Sequence, residues 1–161
     1  EFIVLTAARS GEVRNAVWEE IDAKTKTSII PKGRMKAGRE HSVPLSPQAW
    51  DILQKAKARW PKNTEPSGLI FPGEKSKALS DMTLTQLMRR MEQPYTVHGF
   101  RASFRTWGAD IAHYEHDMLE IALSHIVGDA TVRAYHRSDM VEKRRKLMIE
   151  WAQYLSISNM P

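Results

Sequence analysis

The 161-residue sequence contains no cysteine. That absence removes thiol nucleophiles, disulfides and every zinc site that needs sulfur ligands, while leaving the compartment open. No apolar run approaches the roughly 20 residues needed to cross a membrane. No secretory leader is recognisable, so the expectation is a soluble intracellular protein not associated with membrane. There is no glycine-rich phosphate loop, no ordered Ser–His–Asp pattern, no repeat and no low-complexity tract. The opening, "EFIVLTAARSGEV", lacks an initiator Met and starts inside what reads as an apolar helix. The expectation is therefore a piece of a longer protein.

What is present is an apolar content of 42% and a net charge of +5. The first predicts a globular chain, and residues 1–161 are read as a single domain. The second is compatible with a polyanionic partner. "FIVLTAARSGEVRNAVW" predicts two short helical pieces broken at Ser10-Gly11. "TSIIPKGRMKAGREHSVPL" predicts a β-hairpin with a basic tip containing Gly33 and Gly38. "SPQAWDILQKAKARW" predicts a helix capped by Ser46 with Pro47 in its first turn. "LIFPG" reads as a short extended piece. Further helices are expected in "SDMTLTQLMRRM", capped at Ser80 or Asp81, in "TVHGFRASFRTWGADIA", in "HDMLEIALS" and in "DMVEKRRKLMIEWAQYL". The fold class is α+β: mainly helical, with a small antiparallel sheet in the N-terminal third.

Several residues could carry chemistry. Tyr135 lies among Arg133, His136 and Arg137, and nearby positive charge favours the phenolate that a nucleophile requires. His98 and Arg101 stand three apart on one helix, a spacing that suits a surface pair or a phosphate site. The stripe Phe104, Trp107 and Ile111 would hold that pair rigidly. Arg9 and Glu12 flank the Ser-Gly break, either as ordinary helix ends or as a second arginine with a supporting carboxylate. Lys32, Arg34, Lys36, Arg39 and His41 make the hairpin tip basic, a solvated tip or a DNA-contacting element. "HYEH" (His113 to His116), with His125, could suggest a metal, but loop histidines are commonplace and no metal is expected. "EKRRK" (142 to 146) reads as a solvated helix face. The five tryptophans and the stripe Met140, Leu147, Met148, Trp151 and Leu155 read as core.

Taken together, these features fall in the order Arg9, hairpin Lys, His98-x-x-Arg101, His125, Tyr135. The order resembles the catalytic domain of tyrosine recombinases, or phage integrases. "TAARSGEV" followed by "AVWEEID" is similar to that family's first arginine box, and "HGFRASFRTW" to its second. "LSH", ten residues before "AYHR", is similar to its histidine and nucleophile segment. "RMKAGREHSVPLS" is similar to the hairpin of integrases from prophages and genomic islands. The resemblance runs from about Leu5 to Leu155.

The resemblance implies that Tyr135 attacks a DNA phosphodiester, expels the 5′-oxygen and forms a 3′-phosphotyrosyl intermediate. Arg9 and Arg101 would bind the non-bridging oxygens, with His98 and His125 supporting them and Glu12 behind. Lys36 would be the general acid, with Lys32 its rival. Lys32, Arg34, Arg39, Arg133 and Arg137 would contact DNA. No cofactor is expected. The implied partners are double-stranded DNA, other recombinase subunits in a tetramer on DNA, and accessory proteins that bend DNA or set direction. Family members usually carry a separate N-terminal clamp domain, for which this sequence has no candidate. A type IB topoisomerase-like enzyme and an inactive DNA-binding module stay open as alternatives.

Overall fold

In the computed structural model, residues 1–60, 66–127 and 140–157 are described. Helices α1 (Phe2–Thr6) and α2 (Ser10–Arg14) open the chain. Strands β1 (Ile21–Asp22), β2 (Thr27–Ile30) and β3 (His41–Pro44) follow, then α3 (Pro47–Lys57) and α4 (Thr83–Arg90). Next come α5 (Gly99–Thr106), a π turn (Trp107–Ile111), α6 (His116–Ala122) and α7 (Val141–Ile157). The strands form one antiparallel sheet in the order β1-β2-β3. Its hairpin pairs Thr27 with Pro44 and Ile30 with His41. This is the mainly helical α+β fold expected.

Local chemistry explains where the elements start and stop. The Ser46 hydroxyl accepts the Ala49 N–H at 3.2 Å, with Pro47 beginning α3 as expected. The first helical break lies earlier than Ser10-Gly11, however. Ala7 ends α1 in the left-handed region (φ 48°), and extended Arg9 is the N-cap of α2. Ser10 and Gly11 therefore form the first turn of α2. Likewise α4 begins after Met82, while the Ser80 and Thr83 hydroxyls bond to each other at 2.9 Å. β1 is only two residues long, too short for an alternating pattern to reveal.

Three apolar clusters hold these pieces. The largest gathers α1, α5, α6 and α7 around Phe104, Trp107, Leu119, Leu147 and Trp151. Trp151 meets Phe104 edge-on at 5.5 Å and donates its indole N–H to the Val4 carbonyl at 2.8 Å. A second packs Leu45, Ala49, Leu53 and Ile70 against Phe2. The third, Ile30, Met35 and Val43, backs the hairpin. Ile111 is the exception to the expected stripe and is 56% exposed. The π turn adds a residue to the helical repeat and so takes Ile111 out of register with Phe104, two turns earlier. Gly108 lets this turn approach α6, since a Cβ there would lie 2.4 Å from Leu119 Cδ2.

Residues 142–146 are not wholly a solvated face, because Arg144 is buried. Apolar Leu147 and Met148 draw the same side of α7 inward, and Arg144 lies one turn before Met148 on that side.

Leu147 has no exposed surface. Leu147→Ala should lower unfolding free energy by about 2–5 kcal/mol in urea titrations, and Ile111→Ala by under about 0.5 kcal/mol.

Candidate active site

A guanidinium is costly to bury unless its donors are matched. Arg101, on α5, is only 6% exposed. Its Nη1 donates to the Ala7 carbonyl at the end of α1, and its Nη2 to the Leu123 carbonyl at the end of α6 at 2.6 Å. Both acceptors sit where the helix dipole is negative. Nη2 also lies 3.4 Å from His125 Nε2. Burial, then the nearby charge of Arg9, lowers the Arg101 pKa to about 10, with Glu12 and Glu120 opposing. Arg101 therefore remains a cation at neutral pH.

Arg9 reaches this region from the α1–α2 junction. Buried Glu12 accepts the Arg9 backbone N–H through Oε2 at 2.7 Å and Arg9 Nη1 through Oε1 at 2.9 Å. One carboxylate thus caps its own helix and fixes the side chain of the capping residue.

The hairpin supplies the other wall. Met35 is extended and buried, so its neighbours emerge on the opposite side. Arg34 turns inward, donating Nη2 to the Glu12 carbonyl at 2.6 Å and pairing with Glu20. It is engaged within the protein, whereas sequence reasoning cast it as a DNA contact. Lys36 is exposed and lines an open cleft with Arg9, Glu12 and Arg34. Lys32 is exposed but does not line that cleft. Exposed Arg39 donates Nη2 to the His125 carbonyl at 2.7 Å.

The end of α6 presents His125. Ser124 adopts φ 53°, its N–H bonding the Ile121 carbonyl at 2.9 Å. The His125 N–H bonds the Glu120 carbonyl, also at 2.9 Å. These two bonds make a Schellman closure, a position more often given to glycine. His125 Nδ1 lies 2.7 Å from Glu120 Oε2, and Arg105 Nε donates to Glu120 Oε1 at 2.6 Å. Burial raises the Glu120 pKa, but the bonds from Arg105 and His125 prevail and hold it below the usual carboxylate range.

Arg101 and His125 thus meet at the end of α6, Arg9, Glu12 and Lys36 share the cleft wall, and Arg9 lies close enough to Arg101 for its charge to act there. His98 is exposed, immediately before α5 and one turn from Arg101. Tyr135, Arg133 and Arg137 lie outside the described residues, as does His136. His116 approaches Asp117 at 3.4 Å and Glu120 at 3.8 Å. Among the described residues, no three His, Cys, Asp or Glu side chains converge as a metal site.

The sequence matches the phage integrase family over residues 1–142. The chain belongs to that family. It is 32% identical over 163 residues to the prophage integrase IntA of Escherichia coli K12 and 33% identical over 153 residues to IntZ of that strain. It is 32% identical over 174 residues to the integrase of Enterobacteria phage P4. These alignments cover 97%, 93% and 96% of this chain but 38%, 37% and 39% of the relatives. The fold is similar to that of the Tn1549 transposon integrase (aa 82–397), solved in complex with circular intermediate DNA. The TM-score is 0.51 at 12% identity, covering 84% of this chain and 55% of that one.

Within this integrase domain, sequence reasoning missed Glu120, Arg105 and the burial of His41. Glu120 and Arg105 are separated by 15 residues and a π turn, so no local pattern joins them. His41 was read as the start of the hairpin's second arm, which is where β3 begins, but was counted with the basic tip, a solvated or DNA-contacting element, and it is only 5% exposed. Burial pushes its pKa down to about 3, with the charges of Arg144, Arg39 and Arg101 acting the same way and the Ala122 backbone opposing.

The fold therefore holds His41 neutral. An unfolded chain would protonate it near 6.5, the folded chain near 3. Its stabilising contribution is complete above 6.5 and lost as pH falls between those values. Carboxylates held low, such as Glu120, add their own loss only below their ordinary value of 4.5. Between about pH 6 and about pH 5, unfolding free energy should fall by about 1 kcal/mol, and His41→Gln should remove most of that slope in denaturant titrations.

Proposed function

We propose that this integrase-family chain is a site-specific DNA recombinase domain that cuts and rejoins duplex DNA through Tyr135. The observation that carries the reading is the convergence of Arg9 and Arg101, with the charge of Arg9 close enough to act on the buried Arg101 guanidinium. Glu12 pairs with Arg9, and the charges of Glu12 and Glu120 both act on Arg101. Such a pair of guanidiniums favours a doubly gripped anion in front, and a phosphodiester fits that demand.

In the reaction, the Tyr135 Oη attacks phosphorus and loses its proton. The bond to the 5′-oxygen breaks, leaving phosphate esterified to Tyr135 on its 3′ side. Arg9 and Arg101 stabilise the charge that grows on the non-bridging oxygens. His125 and His98 support that phosphate and exchange protons with Tyr135. Lys36 gives a proton to the departing 5′-oxygen, and its place on the cleft wall beside Arg9 favours it over Lys32. Attack of a 5′-hydroxyl on the phosphotyrosine reverses the chemistry. Integration or excision of a mobile element then needs two duplexes, several subunits and accessory proteins.

A duplex nicked beside the cleavage site should trap covalent protein–DNA adduct with the chain, and Tyr135→Phe should bind DNA without forming adduct. Adduct at undiminished yield from Tyr135→Phe would remove Tyr135 from the role. Adduct formation should survive excess EDTA. Lys36→Ala should slow cleavage by about 10²- to 10⁴-fold. Replacing the bridging 5′-oxygen with sulfur, which leaves unprotonated, should restore Lys36→Ala but not Arg101→Ala. Rescue of Lys32→Ala instead would transfer the general-acid role to Lys32.

A further inference from the structure

His125 has two ring nitrogens, and which of them carries the proton decides what the other can do. Nε2 faces Arg101 at 3.4 Å, on the side of the guanidinium pair. Nδ1 faces away, 2.7 Å from Glu120 Oε2. A carboxylate can only accept, so the close approach requires hydrogen on Nδ1. That leaves the Nε2 lone pair facing Arg101 in the neutral ring. Glu120 is fixed in turn by Arg105, whose Nε takes its other oxygen at 2.6 Å. The backbone repeats the coupling, because the His125 N–H bonds the Glu120 carbonyl.

We infer that Glu120 is a positioning residue for the cleavage reaction: its carboxylate, held by Arg105, fixes the tautomer and ring orientation of His125 so that Nε2 faces the phosphate site. The inference rests on the reading of Arg101 and His125 as phosphate-binding groups. A neutral His125 in this tautomer accepts a proton at Nε2 while Nδ1 stays bonded to Glu120, so proton transfer at the site leaves the ring in place.

The geometry also says what an amide would do. Gln offers one acceptor oxygen in place of two. In Glu120→Gln, Arg105 competes for that oxygen. When Arg105 holds it, the amide N–H faces Nδ1 and drives the ring's proton to Nε2. Removing Arg105 as well frees the amide to turn and accept from Nδ1. Arg105 has a side chain 49% exposed, so its loss is tolerable to the fold.

The experiment follows two readouts in the chain and its variants. One is the ¹⁵N signature of the His125 ring, which reports the tautomer without DNA. The other is the single-turnover rate of adduct formation on nicked duplex DNA, measured alongside DNA affinity. The chain itself should show hydrogen on Nδ1. Glu120→Gln should shift hydrogen to Nε2 and slow cleavage about tenfold or more with DNA affinity unchanged. Glu120→Asp should keep the Nδ1 tautomer and retain more activity than Glu120→Gln. Glu120→Gln combined with Arg105→Ala should recover both tautomer and rate relative to Glu120→Gln alone, which no purely structural defect would do. An unchanged tautomer and rate in Glu120→Gln would overturn the inference. So would a slow double variant that shows no recovery. If the unaltered chain yields no adduct, the cleavage reading fails instead, and the inference fails with it even where the ring signature follows Glu120.

Discussion

The Arg101 guanidinium can be buried only because the carbonyl ends of α1 and α6 meet on it. Neither helix is long enough to be stable alone. Each is terminated by a residue with positive φ or followed by one, Ala7 for α1 and Ser124 after α6. Those turns free the carbonyls that would otherwise continue the helices. The charge that makes the site also serves as the joint between segments about a hundred residues apart in the chain. From behind, α7 secures the same joint, since Trp151 donates to Val4 within α1 and packs on Phe104 of α5. Removing the guanidinium would therefore disturb architecture as well as charge, because it leaves two buried helix ends unpaired.

Charge is arranged in layers around that joint. Arg9 and Lys36 line the cleft with Glu12 between the helix and Arg9, while Arg101 is buried at the helix ends and Glu120 holds His125 from the other side. The arrangement explains why Arg34 is turned inward. It ties the short helical turn Lys32–Arg34 of the hairpin to α2 through the Glu12 carbonyl and to the turn Trp18–Glu20 before β1 through Glu20. The hairpin is thereby fastened to the element that carries Arg9, and Met35 seals the attachment with apolar contact. His41 and Arg144 lie deeper, and their proximity is tolerated because the imidazole stays neutral.

Local signals in the sequence carried much of the fold. Apolar periodicity and capping located α3, α5, α6 and α7, and a basic, glycine-containing tip between the apolar Ile29-Ile30 arm and the arm "HSVPL" located the hairpin. Arg9, His98 and Arg101 were legible as motifs because each lies at a helix boundary or on one helical face. The failures share a cause. The π turn displaced Ile111 by one residue from a stripe that a regular helix would continue. Arg144 and His41 are polar residues buried by contacts distant in sequence, which composition and period cannot register. Glu120 was invisible for the same reason, since its meaning depends on Arg105 across a turn and on a helix ending two residues later.

The closure at Ser124 makes the interval between Glu120 and His125 a ruler. The same four residues set the distance between the two backbones and the distance between the two side chains. An insertion or deletion among residues 121 to 124 cannot be absorbed as a loop change, because one more residue on α6 would rotate the imidazole about a hundred degrees around the helix axis. Variation in this region of the chain is therefore expected as replacement and not as change of length.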